Sequence, residues 1–172
     1  VSLMAVDHPD GTDVFVDERF SAAHPPALAV QALHVLRPVA QAVDDQGRDV
    51  TDVVAKADGH DLGGFGLGEY QGVAREHDVE FALGDDIPRD GRARLLAYGW
   101  VYPTDSSINV AIGQGRRVKP HGLSLEAQDA RGRWIAVAPD LGFPSGKNKT
   151  VLVDLDRVAR AGVAGATRLR LR

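Results

Sequence analysis

Period-two alternation is the feature that most constrains what this chain can fold into. Val79, Phe81 and Leu83 alternate with Glu80 and Ala82, and Leu123, Leu125 and Ala127 alternate with Ser124 and Glu126. An extended strand gathers such residues on one face, whereas a helix would scatter them around its axis. Turn signals punctuate the pattern. Gly84 to Gly91 is a polar turn cluster, and Asp129-Ala130-Arg131-Gly132 reads as a hairpin with a type I turn and a glycine bulge, sending the chain back along Trp134 to Val137. Thr150–Leu155 and Thr167–Leu171 supply further strands. Leu95 to Val101, nearly unbroken in apolar residues before Pro103, reads as a central strand buried on both faces.

Short strands at close spacing with no long helix between them predict a mainly β fold. The expected architecture is an antiparallel β-sandwich of jelly-roll character with one short helix, a single domain over 1–172. Residues 1–60 are less regular. Thr12–Val16 is a strand. Leu28–Leu36 fits alternation through Leu28, Val30, Ala32, His34 and Leu36, and also a helical stripe through Ala29, Leu33 and Leu36; strand is the preferred reading, stopped by Pro38. Asp49 or Thr51 caps a short helix over Val50–Ala57, ended by Gly59. Ala42-Val43-Asp44-Asp45-Gln46-Gly47-Arg48 echoes Ala127-Gln128-Asp129-Ala130-Arg131-Gly132-Arg133 at its Ala, Asp, Gly and Arg positions. A duplicated hairpin and a turn chemistry used twice both account for it, and the unlike flanking strands favour the second.

Charge and composition exclude several functions. With 20 basic against 24 acidic residues the net charge is −4, the wrong sign for a nucleic-acid binder. There is no cysteine, so disulfides, thiolate metal sites and thiol catalysis are excluded. No apolar run approaches the ~20 residues that span a bilayer. A start at Val1 and an end inside Arg168-Leu169-Arg170-Leu171-Arg172 lead us to expect a piece of a larger protein.

The usual catalytic signatures do not assemble. Gly63-Gly64-Phe65-Gly66-Leu67-Gly68 lacks the Lys-Ser/Thr of a phosphate loop and the strand and helix of a dinucleotide fingerprint, and reads as a structural loop. The six histidines include no H-x-H or H-x-x-x-H pair. Asp85, Asp86 and Asp90, Asp10 and Asp13, and Asp154 and Asp156 cluster without forming a calcium-loop pattern. No cofactor is expected, a structural calcium ion in one of these turns being the alternative. The most unusual stretch is Trp100 to Asn109, where an aromatic pair leads into a run of small polar residues. Ring faces beside Asp and Asn suit a sugar, stacking on its C–H surface and bonding its hydroxyls. The candidate ligand residues are Tyr102, Asp105, Ser107 and Asn109, with His121 at the rim. The competing reading makes Trp100 core and lets Asp105, Ser106 and Asn109 bond their own backbone in a loop.

These residues also carry a likeness. Tyr98-Gly99-Trp100-Val101-Tyr102, Asp105 to Ala111, Ser124-Leu125-Glu126, Gly132-Arg133-Trp134, Pro139 to Lys147 and Thr150 to Leu155 resemble a module found near the C-terminal end of large bacterial proteins. Those proteins carry FG-GAP/VCBS-type propeller repeats of the kind related to cartilage acidic protein, or tetratricopeptide arrays. Asp44 to Val50 and Phe65 to Val73 extend the likeness over most of the chain. The module has no established catalytic residues, and none is carried over. A second resemblance, over the last third, is to galactose-binding-like jelly rolls of the discoidin type, through Leu123–Val137 and Thr167–Arg172. Together they imply a non-catalytic binding or scaffolding module, extracellular or periplasmic, whose partner is a carbohydrate or another domain of the parent chain. The alternatives are a hydrolase drawing its acids from Asp105 and the Asp85/Asp86 turn, and a purely structural inter-domain module.

Overall fold

A computed structural model describes residues 5–18, 30–33, 36–56, 58–63, 66, 68, 74–84, 93–100, 106–116, 121–142 and 146–172. Nine strands and three short helices succeed one another in these residues: β1 (Asp13–Val16), β2 (Val30–Leu33), β3 (Gln41–Asp44), α1 (Thr51–Val54), β4 (Val79–Ala82), β5 (Arg94–Gly99), α2 (Ser106–Gln114), β6 (Leu125–Gln128), β7 (Trp134–Ala138), β8 (Lys149–Asp154), α3 (Asp156–Arg160) and β9 (Arg168–Leu171). All strand pairs among them are antiparallel. The mainly β expectation therefore holds, and Val30–Leu33 is strand rather than helix.

One sheet has the order β3-β4-β9-β6-β7, and β5 pairs with β8 in a second. The alternating sequences give the large sheet two unlike faces. Ala42, Phe81, Leu169, Ala127 and Ile135 form one row across all five strands, and this inner face meets Val151 and Val153 of β8 in a common core. Leu125, Ala127, Leu169, Val151, Val153 and Val158 are wholly inaccessible to solvent. Under the β3 edge, Val50, Val54 and Leu62 continue that core over Ala42 and Phe81, with Leu171 touching both parts.

The echoed hairpins have the same geometry. The Asp44 N–H donates to the Arg48 carbonyl at 3.0 Å and the Gly47 N–H to the Asp44 carbonyl at 2.9 Å; the Asp129 N–H reaches Arg133 at 2.9 Å and the Gly132 N–H reaches Asp129 at 2.9 Å. In each turn one Asp oxygen accepts two backbone N–H groups and the other accepts the Arg Nε–H, at 2.7 Å for Arg48 and 2.8 Å for Arg133. Gly47 (φ 75°) and Gly132 (φ 78°) supply the left-handed residue that closes each turn. Their strands correspond as well. A half-turn about the sheet normal, passing between Phe81 and Leu169, exchanges β4 with β9 and β3 with β6, so Ala42 replaces Ala127 and Asp44 replaces Asp129. The unlike strand sequences conceal a shared register.

Three expectations are corrected. Leu95–Val101 is not a central strand buried on both faces: β5 pairs with β8 alone among the described residues, and Tyr98 is 46% exposed. The run is apolar because it lies over the core, not because it has sheet on both sides. The described residues hold three helices, not one. The sequence from Ser106 is not a loop but α2: Ile108 and Ile112, four apart, are half-buried while Val110 is 56% exposed, the amphipathic spacing of a helix. Small polar residues that favour loops also favour helix starts, so the two share a local signature. In α1, the Asp49 carboxylate accepts the Thr51 N–H at 2.9 Å. The overlooked α3 closes with Gly162 at φ 83°, the Val163 N–H on the Val158 carbonyl at 3.1 Å and the Gly162 N–H on Ala159 at 3.0 Å. This is a Schellman end with buried Val158 and Val163 as its apolar contact.

The N-terminal hairpin β1–β2 joins the rest through carboxylates. Glu18 donates its N–H to the Thr150 carbonyl (2.8 Å), accepts the Thr150 N–H on Oε2 (3.0 Å) and pairs through Oε1 with Lys149 Nζ (2.9 Å). The Thr150 N–H, then Lys149, hold the Glu18 carboxyl below the ordinary carboxylate range. A depressed carboxylate pKa contributes stability above the unfolded value, about pH 4, that is lost as pH falls through the folded one. Acidification below about pH 4 is therefore expected to lower the protection factor of the Thr150 amide, taken against its intrinsic exchange rate at each pH, and Glu18→Gln to lower it at neutral pH; unchanged protection in both would show that the seam does not depend on this carboxylate. Leu169→Ala, at the centre of the inner row, is expected to cost about 2–5 kcal/mol in chemical denaturation, and Gly132→Ala about 1–2 kcal/mol.

Candidate functional site

The outer face of the large sheet bears the same alternation with the opposite chemistry. Arg168 and Arg170 of β9, with Arg172 beyond it, point away from the core, and each meets an acid on a neighbouring strand or just before it. Arg168 Nη2 pairs with Glu80 at 2.7 Å, Arg170 Nε with Glu126 at 2.6 Å, and Arg172 Nη2 with Glu76 at 2.5 Å. The register makes these neighbours: Glu80, Arg170 and Glu126 are directly opposed across β4, β9 and β6. Opposed charge pairs of this kind contribute roughly 0.2–1 kcal/mol each.

Arg170 is the hub. Its side chain is only 16% exposed, it contacts Glu126 through two nitrogens, and its Nη1 lies 3.8 Å from Asp78. Its guanidinium carbon sits 4.6 Å from the centre of the Trp134 ring, a cation–π stack that holds the indole in place. Asp78 is the surplus acid. Burial pushes its carboxyl up; Arg170 works against this, while Glu80 and Asp45 add to it. The result is a half-buried aromatic flanked by fixed donors and acceptors.

At the hairpin end of this face lies a groove of about 220 Å³ between Gln128–Ala130 and the Gly162–Arg168 segment that leaves α3. A smaller void of about 20 Å³ is bounded by the Asp44 turn, Leu62 and His77–Val79, with His77 Nδ1 3.3 Å from Asp45. Among the described residues, no group of three or more His, Asp or Glu side chains is placed to hold a metal ion. Asp154 instead pairs with Arg94 at 2.8 Å and Asp156 with Arg160 at 2.7 Å. No described helix is long and apolar enough to cross a membrane.

The residues singled out from the sequence scatter. Tyr102 and Asp105 lie outside the described residues, as do Asp85, Asp86, Asp90 and Gly64, Phe65 and Leu67 of the glycine-rich loop. Ser107, exposed, and Asn109 share α2, while Trp100 is half-buried just beyond β5. His121 lies elsewhere, at the end of the charged ladder, with Nε2 3.7 Å from Glu76 and Nδ1 2.9 Å from the Gly122 carbonyl. Sequence reasoning missed Trp134, Arg170, Glu126 and Asp78. Their signal was the polar half of the strand alternation, which marks a solvent face without saying which residues meet there.

No family model, curated protein or solved structure matches the chain. Replacing Arg170 by Met leaves Glu126 and Asp78 without their guanidinium in a partly desolvated row, and is expected to cost about 1–3 kcal/mol in chemical denaturation. Arg170→Lys should recover only part of that loss, because an ammonium cannot reproduce the fork and the stack. Equal stability of wild type and Arg170→Met would remove Arg170 from its place as hub.

Proposed function

We propose that this chain is a non-catalytic binding module that presents the outer face of its five-stranded sheet to a carbohydrate. The observation that carries the reading is Trp134 held by Arg170 at 4.6 Å and flanked by the Glu126 carboxylate. A sugar needs an aromatic surface for its C–H face, with acceptors and donors in reach of its hydroxyls. Trp134, Glu126, Gln128, Arg168 and Arg170 are adjacent positions on this one face. The ion pairs restrain long side chains before any ligand arrives, which lowers the entropy lost on binding. Glu80, Glu126 and Glu76 are each engaged by an arginine, an arrangement suited to holding a ligand.

A second reading has its own support. Tyr98 on β5 and Val110 on α2 are large apolar side chains left 46% and 56% exposed, and these are surfaces that another domain of a longer chain would cover. In that reading the module is a scaffold. Placement outside the cell or in the periplasm, as the bacterial resemblance implies, belongs to either proposal.

A glycan array, probed with and without chelator, tests the carbohydrate reading. Wild type is expected to bind at least one glycan class in both conditions. Trp134→Ala should weaken that binding about ten-fold or more, since loss of stacking and its buried area exceeds about 1.4 kcal/mol. No bound glycan, or undiminished binding by Trp134→Ala, sinks the reading and leaves the scaffold.

A further inference from the structure

The 220 Å³ groove at the hairpin end of the outer face is not explained by the stacking platform alone. Its location is informative. Gln128 and Arg168 line it, and both belong to the outer face: Gln128 is paired with Trp134 across β6 and β7, and Arg168 is held by Glu80. Platform and groove are thus adjacent, with Gln128 and Arg168 belonging to both. The opposite wall is the Schellman end of α3 and the turn after it, where the Ala166 N–H donates to the Val163 carbonyl at 3.1 Å. Gly162 and Gly165 take φ values of 83° and 79°, and an added Cβ at either would meet nothing within 4 Å. Small residues keep this wall low, and the space beside it stays open.

We infer that the groove is a subsite for the terminal ring of a carbohydrate chain whose next unit lies on Trp134. This rests on the outer-face reading above and adds to it a direction and a chain end. Size supports a single ring. The volume falls below the ≈ 300–1,000 Å³ of pockets that enclose drug-sized ligands. The lining also suits a polyol. Thr167 offers a hydroxyl, Gln128 its amide oxygen beside the Nε2–H that it gives to the Gly132 carbonyl at 3.2 Å, and Val163 and Ala164 small apolar contacts. The Asp129 carboxylate on the near side is committed to Arg131, Arg133 and its own turn, which gives the wall a fixed shape.

The experiment compares wild type, Trp134→Ala, Ala164→Trp and Ala130→Trp on the same array and by titration with short oligosaccharides of the bound class. Ala164 is exposed on the far wall. Ala130 occupies the turn position where the equivalent hairpin carries Asp45, so a side chain there is compatible with the turn. Both positions line the groove, and neither belongs to the platform. The expected result is a loss of about ten-fold or more in affinity for short oligosaccharides with either groove variant, with binding to long polymers, which offer many internal units to Trp134, retained. Amide shifts of Gly162, Gly165 and Ala166 on adding the oligosaccharide to wild type should accompany it. Unchanged oligosaccharide affinity in both folded groove variants, with Trp134→Ala weakened, overturns the subsite and leaves the platform standing. Groove variants that weaken binding while Trp134→Ala does not overturn the platform instead. A wild type that binds no glycan overturns both.

Discussion

Strand β9 sits third in a five-stranded sheet, and its alternation decides both faces at once. Leu169 and Leu171 enter the core, where Leu169 is inaccessible to solvent and Leu171 joins the two halves of the apolar cluster. Arg168 and Arg170 are sent to the other side by the same pleat. A one-residue slip would put guanidinium groups against Val151 and Val153 and leave leucines facing Glu80 and Glu126, so the register is strongly specified. The candidate binding face is the geometric complement of the hydrophobic core.

The Asp-x-x-Gly-Arg turns stabilise this arrangement from opposite ends. Each Asp satisfies two backbone N–H groups and an arginine. In Asp129 the Arg133 backbone N–H comes first in holding the carboxyl below its ordinary range; in Asp44 burial pushes up, but the Arg48 N–H and guanidinium outweigh it. Because the two turns are related by a half-turn about the sheet normal, each closes one end of the same inner row. The segments leaving them differ. After Arg48 the chain makes one bridge, Val43 to Asp49, and turns into α1; after Arg133 it continues as β7, which brings Trp134 beside Gln128. One turn chemistry thus produces a covered edge in one place and an aromatic platform in the other.

Much of the fold was legible from local pattern, because alternation and turn chemistry act over a few residues. The Asp129 hairpin, the strand at Val79–Ala82 and the strand character of Val30–Leu33 all came from such signals. The errors came where one local signal supports two structures. Ser and Asn in succession read as a loop but open onto α2, where the spacing of Ile108 and Ile112 was the better clue. An unbroken apolar run at Leu95 read as a central strand, although a strand lying over a core with a single partner needs the same residues. The Schellman glycine at Gly162 was visible, but the helix before it has only Val158 as a wholly buried residue and no periodicity to detect.

The candidate site was far less legible. Aromatic and small polar residues close together in sequence drew attention to Tyr102–Asn109, yet the described structure gathers its polar cluster from β4, β6, β7 and β9, at positions 78–80, 126–128, 134 and 168–172. By itself the sequence determined a net acidic, cysteine-free, mainly β chain, the turns that reverse it, and which side of each alternating strand faces solvent, since these depend on neighbouring residues and total charge. Only tertiary structure decided which strands distant in sequence lie side by side. Pairing distant segments through backbone hydrogen bonds is a long-range choice, made when the apolar faces close on one another, and it alone brought Arg170 over Trp134 and opened a groove beside them.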